Sequence, residues 1–128
     1  MAVIMKTVSK QQSYSLYSRI KKKGCCNKWL KNSGLFYTWY ENQTKKQEHS
    51  CRYCQLPGDT ECYYGKHFRV GRRGLCLEVD RKDNNKLYSP RNCVLACYPC
   101  NNAKSDVFSY KEFLEIGKAI RKAKIDNL

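Results

Sequence analysis

What the chain lacks narrows it quickly. It has no run of about 18 apolar residues, so no stretch of it reads as a membrane-spanning helix. The apolar opening, Met1 to Met5, is broken by Lys6 and is too short for a secretory signal, so nothing here marks export. There is no internal repeat and no low-complexity block. At 128 residues there is no room for a large two-domain enzyme, and one compact domain, or a small core with arms, is expected. Acidic side chains are scarce, 11 against 25 Lys and Arg, which leaves a formal net charge of +14. The surplus runs through both halves of the chain and is not a basic tail on a neutral body. So strong a field on so small a chain suits a phosphate backbone or an anionic membrane surface. With 41% hydrophobic residues a core is feasible and wholesale disorder is not.

Cysteine, by contrast, is abundant. There are nine, an odd number, so they cannot all pair within one chain. Without a secretory signal, closely spaced pairs read better as metal ligands than as disulfides. Cys51/Cys54 and Cys97/Cys100 are both C-x-x-C pairs. Two intervening residues let one tight turn present both sulfurs to one ion, and two such turns complete the tetrahedron that zinc prefers. The competing reading is two redox or merely buried pairs. A closed four-sulfur site leaves no open position, so a zinc held there is structural. The stretch between the knuckles, residues 55–96, is longer than a simple zinc ribbon needs, which implies a functional insertion. Cys25, Cys26, Cys62, Cys76 and Cys93 read as ordinary buried or half-buried thiols. Adjacent sulfurs such as Cys25 and Cys26 rarely ligate one tetrahedral ion.

Along the chain, Tyr14, Leu16, Tyr17 and Ile20 have partly helical spacing, followed by three lysines and a stop at Gly24. Asn32-Ser33-Gly34 is a turn or helix start. Leu35, Phe36, Trp39 and Tyr40 then predict one apolar face of a short helix, whose simplest use is core packing. Residues 55–74 read as an irregular basic loop, with Lys66, Arg69, Arg72 and Arg73 placed to meet a groove or a phosphate. Leu75 to Asp80 and Asn92 to Ala96 read as short strands joined by a charged turn. A short helix is expected through Asn101 to Ser105. Ser109 with Glu112 forms a capping box for a last helix whose apolar face is Phe113, Ile116, Gly117 and Ile120. Lys118, Arg121, Lys122 and Lys124 then face outward or toward a phosphate surface.

The chemistry falls in the insertion. Asp80 ends one strand and Asn101 follows the second knuckle, so a zinc that pins that knuckle beside the strand brings two hard oxygens together. Such a pair suits Mg²⁺, which keeps several waters and takes substrate phosphate as a ligand. Arg81 and Lys104 would place positive charge at a scissile phosphate. Taken singly, Asp80-Arg81 also reads as a surface ion pair and Asn101 as a helix cap.

Three stretches, Leu77-Glu78-Val79-Asp80-Arg81, Tyr88-Ser89-Pro90-Arg91-Asn92 and Cys97-Tyr98-Pro99-Cys100-Asn101-Asn102-Ala103-Lys104, together resemble the HNH endonuclease motif. The two C-x-x-C pairs resemble its zinc-bearing subgroup. The resemblance covers roughly residues 35–120. It implies an α+β chain with a ββα-metal core stapled by a four-cysteine zinc site and flanked by N- and C-terminal helices. It implies that Asp80 and Asn101 bind the catalytic cation, that Asn92 braces the loop between strands, and that Lys104 lies near phosphate. Arg81 stands where most members have the histidine that activates water. A guanidinium stays protonated, so Arg81 can clamp phosphate but cannot act as the base. Relatives with this Asp-Arg variant use another base, and a tyrosine has that role in them. The candidates here are His67 and Tyr53, then His49 and Tyr88, histidine having the apter pKa. Small zinc-bearing members carry a second zinc in the N-terminal arm. Only Cys25-Cys26 is present here, so one zinc per chain is expected.

The sequence thus predicts a basic N-terminal helical arm over 1–34 and a nuclease domain over 35–128. The expected activity is metal-dependent hydrolysis of phosphodiester bonds in double-stranded DNA by a restriction, homing or other mobile-element nuclease. Its cofactors would be structural Zn²⁺ and catalytic Mg²⁺ or another divalent cation. It would work inside the cell, without a membrane partner, and a homodimer would supply two sites for a double-strand cut. The alternatives are a non-catalytic zinc module that binds nucleic acid and a zinc-dependent protein-interaction domain. Asp80 favours catalysis, because an acid beside phosphate repels the backbone unless it holds a cation.

Overall fold

The computed structural model describes residues 10–22, 32–58 and 76–127. His67, the basic loop 66–73, Gly24, Cys25, Cys26, Cys62 and Leu75 lie outside them. Helix α1 spans Lys10–Lys22 and α2 spans Ser33–Lys46. Strands β1 (Glu78–Arg81) and β2 (Cys93–Ala96) pair antiparallel, and α3 (Tyr98–Lys104) and α4 (Tyr110–Asp126) follow. Helices around a small antiparallel sheet make this an α+β chain, with β1, β2 and α3 in ββα order.

Helix α1 buries Leu16, Tyr17 and Ile20 and leaves Tyr14 exposed. Its last turn carries Arg19, Lys21 and Lys22, cations that suit the negative end of a helix. Asn32 starts α2 as its N-cap, its side-chain oxygen accepting from the Gly34 and Leu35 amides at 2.9 and 3.1 Å. The α2 stripe is narrower than its spacing suggests. Phe36 and Tyr40 are buried and Trp39 packs against the core, but Leu35 is 54% exposed because the first turn extends past the body it packs on. Tyr17, Phe36, Trp39 and Tyr40 form a chain of tilted ring contacts, with Tyr17–Phe36 centroids 5.8 Å apart. The Tyr40 hydroxyl donates to the Leu77 carbonyl at 2.6 Å and fastens α2 to the approach of β1.

The sheet is short because pairing sets its ends. Glu78 opposes Ala96 and Arg81 opposes Cys93, so β1 starts later and ends one residue later than the apolar run indicates. Strand β2 starts at Cys93 because the Asn92 side chain is committed to the preceding loop. All four β2 residues are buried. At Leu95 the Gln47 side chain acts as a substitute strand: its amide donates to the Leu95 carbonyl at 2.8 Å and its oxygen accepts the Leu95 N–H at 3.0 Å. Helix α3 begins at Tyr98, ahead of the expected Asn101, with Pro99 in its first turn where no amide donor is needed. Both halves of the Ser109–Glu112 capping box form at α4. Phe113 and Gly117 are buried, with Ile116 and Ile120 packed beside them. A Cβ on Gly117 would collide with the Tyr53 backbone, so glycine lets α4 lie directly on the first knuckle. No described helix is long and apolar enough to cross a membrane.

Candidate active site

The two knuckles close on each other. The Sγ atoms of Cys51, Cys54, Cys97 and Cys100 all lie within 4.8 Å of one another, and all four residues are buried. Four sulfurs at about 2.3 Å from a tetrahedral zinc are about 3.8 Å apart. The Cys54–Cys97 separation is 3.7 Å. The protons of this cluster are shared unevenly. Burial works against a Cys51 thiolate, but hydrogen bonds from the sulfurs of Cys100, Cys54 and Cys97 pull its pKa well down. Cys97 is pushed up, first by its hydrogen bond to Cys100, and Cys100 is pushed up, first by Cys51. A metal ion replaces those protons with one charge that all four sulfurs share. The four-sulfur cluster therefore fits a structural metal, and its chemistry matches zinc. Among the described residues, Cys76 is half-buried and Cys93 is buried, and neither is in a disulfide.

The knuckle also places Tyr53 between two of the four sulfurs, its N–H donating to Cys51 Sγ at 3.4 Å. The Tyr53 hydroxyl donates to Asp80 Oδ2 on β1 in a short hydrogen bond. The other claimant on Asp80 is Lys104, whose ammonium stands 3.3 Å from the carboxylate. It also donates to the Arg81 carbonyl at 2.9 Å and the Asn84 side-chain oxygen at 3.4 Å. The Lys104 side chain is fully buried and Asp80 is 6% exposed. Burial raises the Asp80 pKa, while Tyr53 and Lys104 pull it back down. Burial, then the charge of Asp80, pushes the Tyr53 phenol well above its ordinary value. Rings buttress this group: Phe113 meets Tyr53 edge-on at 5.1 Å and Tyr110 at 5.9 Å.

One pleat back on the same strand face stands Glu78, and one turn back on α3 stands Asn101. The Asn101 amide donates to Glu78 Oε1 at 2.9 Å. Helix α3 therefore lies on β1 as a ladder, Asn101 over Glu78 and Lys104 over Asp80, with rungs about 7 Å apart along the strand. Asn101 makes its described contact with Glu78 and not with Asp80. Its nitrogen is committed to Glu78, so its carbonyl oxygen and, one rung away, the Asp80 carboxylate are the hard donors here. Those donors are of the kind that Mg²⁺ accepts with waters filling the other positions. In its contacts here, however, Asp80 shares its carboxylate with a resident ammonium.

Arg81 turns away from this ladder: its guanidinium lies 4.7 Å from the Tyr88 ring centroid and donates to the Lys86 carbonyl at 3.1 Å. Asn92 braces the β1–β2 loop, its amide donating to the Asp83 and Leu87 carbonyls at 3.0 Å each and its oxygen accepting the Asp83 N–H at 3.0 Å. His49 adopts a positive φ of 58° and its buried Nδ1 has no hydrogen-bond partner. Lys118 and Lys122 pair along α4 with Glu115 and Asp126. The structure thus brings Tyr53, Asp80 and Lys104 into contact and sets Asn101 one rung away. It also adds Glu78, which sequence reasoning passed over. The available signal was its i, i+2 relation to Asp80, which puts both acids on one strand face.

A ββα unit, a four-sulfur staple and an acid on the first strand define a class, and the chain belongs to the HNH endonuclease family. The likeness that shows this is to the solved structure of the rare-cutting HNH restriction endonuclease PacI. The two share 31% sequence identity with a TM-score of 0.71, over 96% of this chain and 84% of the PacI chain. PacI was described with "an extraordinary mechanism of DNA perturbation". No family model matches the chain, and no curated protein matches it either.

Proposed function

We propose that the chain is a divalent-cation-dependent restriction endonuclease that hydrolyses phosphodiester bonds in double-stranded DNA. One observation carries the reading. In a chain of net charge +14, a nearly buried carboxylate is held between a tyrosine hydroxyl and a lysine, in the fold of a DNA-cutting relative. A module that only grips DNA needs that acid only as the buried partner of Lys104, whereas a nuclease needs it to hold a cation.

In this reading Asp80 and Asn101 hold the catalytic cation, which when bound polarises the scissile phosphate and lowers the pKa of water. The other roles belong to side chains. Tyr53 orients the Asp80 carboxylate and is the base we propose, ahead of His67, His49 and Tyr88, because it touches Asp80. In the resting chain burial and the Asp80 charge keep its phenol protonated. To act as the base the phenol must first release that proton to solvent. Lys104 offsets the carboxylate charge that opposes the release, as would a cation held by Asp80, and the phenolate then takes the proton of the attacking water. Water oxygen bonds to phosphorus, the bond to the leaving sugar oxygen breaks, and that oxygen takes a proton from solvent. Arg81, once released from the Tyr88 ring and the Lys86 carbonyl, clamps a phosphate oxygen with a charge that does not titrate, and Asn92 keeps the loop behind Asp80 in register. Two chains related by a two-fold axis cut both strands of a palindrome. The site of action is then the DNA-containing compartment of the cell.

The test is plasmid cleavage with Mg²⁺, wild type against Asp80→Asn, with duplex binding measured in EDTA. Asp80→Asn should lose at least about a hundredfold in cutting rate and retain binding. Cutting without any divalent cation, or binding without any cutting by the wild type, would overturn the proposal and favour a non-catalytic zinc module.

A further inference from the structure

A cavity of about 300 Å³ lies between α1 and the sheet, and it is bipolar. On one side α1 contributes Arg19 and Lys22 above the apolar floor of Leu16 and Ile20; on the other stand Asn101 and Glu78, with Tyr88 beside them. The floor is fixed, since Leu16 and Ile20 are 4% and 5% exposed and belong to the core. The two cations are exposed, and among the described residues neither is paired with a carboxylate. Arg19 sits close enough to the entry of β1 that its charge lowers the pKa of the Cys76 thiol, against the larger upward push of burial.

From this arrangement the geometry points to α1 as a wall of the substrate cleft, with Arg19 and Lys22 binding the backbone phosphate that faces Asn101. A cleft with oxygen donors on one wall and exposed cations on the other matches one ligand class well. That class is a phosphodiester whose oxygens face a metal ion on one side and guanidinium and ammonium groups on the other. An anion with no cation to bridge it would be repelled by the Glu78 carboxylate, and an apolar ligand would strand both cations. The apolar floor suits the sugar edge of a nucleotide. This inference rests on the nuclease reading and deepens it: the basic N-terminal helix becomes part of the cutting site, where a separate grip on distant DNA would otherwise suffice.

The experiment compares Arg19→Ala/Lys22→Ala with a control pair, Lys118→Ala/Lys122→Ala, which removes equal charge from the exposed flank of α4. Both keep buried contacts intact, and unchanged circular dichroism and zinc content verify the fold. Two readouts are taken on a mixed-sequence duplex. The first is the salt dependence of binding in EDTA, where losing the grip on that one phosphate flattens the log–log slope by about 0.9. The second is the single-turnover cleavage rate at saturating enzyme with Mg²⁺. The α1 pair should flatten the slope by that amount and slow cleavage of bound DNA at least tenfold, while the control pair leaves the single-turnover rate at the wild-type value. An α1 variant with the wild-type slope, or one that cuts bound DNA as fast as the control pair, would overturn the inference. If the wild type binds but never cuts, the nuclease reading falls, while the slope still decides whether α1 grips phosphate.

Discussion

Replacing Lys104 with methionine tests the centre of the site through stability alone. The side chain is fully buried and its ammonium stands 3.3 Å from a carboxylate that is itself only 6% exposed. Methionine fills the same volume but leaves Asp80 buried with the Tyr53 hydroxyl as its polar partner. Breaking a buried pair from one side costs about 3–5 kcal/mol, because the surviving charge is left uncompensated. That is a large share of a stability of about 5–15 kcal/mol, and it should lower the melting temperature on the order of 15 °C. The pH dependence has a definite sign. Burial already raises the Asp80 pKa, and Lys104 is one of the groups holding it down. Without Lys104 the folded-state pKa rises further. Between the unfolded and folded values the folded chain then binds a proton that the unfolded chain releases, so stability falls as pH rises. The deficit relative to wild type should therefore be smaller at about pH 5.5 than at about pH 7.5. Urea melts of the zinc-loaded proteins at both pH values, with equal m-values, measure it. A Lys104→Met chain within about 1 kcal/mol of wild type at neutral pH, or a deficit indifferent to pH, would refute the argument.

Three further outcomes are expected. Metal analysis should find one zinc per chain, and chelation should abolish the cooperative unfolding transition, since structural zinc contributes about 10–16 kcal/mol in comparable sites; a chain that melts unchanged after complete zinc removal would contradict the staple. Asn92→Ala strands the Asp83 and Leu87 carbonyls and should cost about 1–3 kcal/mol, seen as a lower urea midpoint and faster amide exchange across residues 82–91. Gly117→Ala drives a methyl group into the Tyr53 backbone, which has no flexible side chain to yield, and should cost about 1–3 kcal/mol; a midpoint equal to wild type would show that the α4 contact is looser than the structure has it.

What the sequence made legible was chemistry carried by local spacing. The C-x-x-C turns allow few partners for their sulfurs, and Ser109 with Glu112 describes a complete cap within four residues. Asn32 likewise opens a helix by its own side chain. Strand ends were less legible, because β1 and β2 stop where pairing stops, and register depends on both strands at once. The start of α3 at Tyr98 had its signal in Pro99, which suits a first helical turn, but the knuckle that contains it obscured that reading. Least legible was the interior of the site. A lysine on a short helix of a basic chain looks like a phosphate contact, and only packing α3 against β1 turns Lys104 onto Asp80 and Asn101 onto Glu78. The exposure of Leu35 is the converse case: helical spacing marks a face, but not how far the neighbouring body extends to cover it.

Tyr53 has a consequence for how the protein comes into being. Its place in the chain is inside the first knuckle, between Cys51 and Cys54, so the loop that holds the metal also carries the hydroxyl to Asp80. The second knuckle leads directly into the helix bearing Asn101 and Lys104. Metal loading is therefore an assembly step for the site as well as for the fold. A newly synthesised chain has to acquire its ion before the side chains proposed to cut DNA are arrayed together. For the proposed nuclease, the supply of one metal ion then sets how much of it is armed.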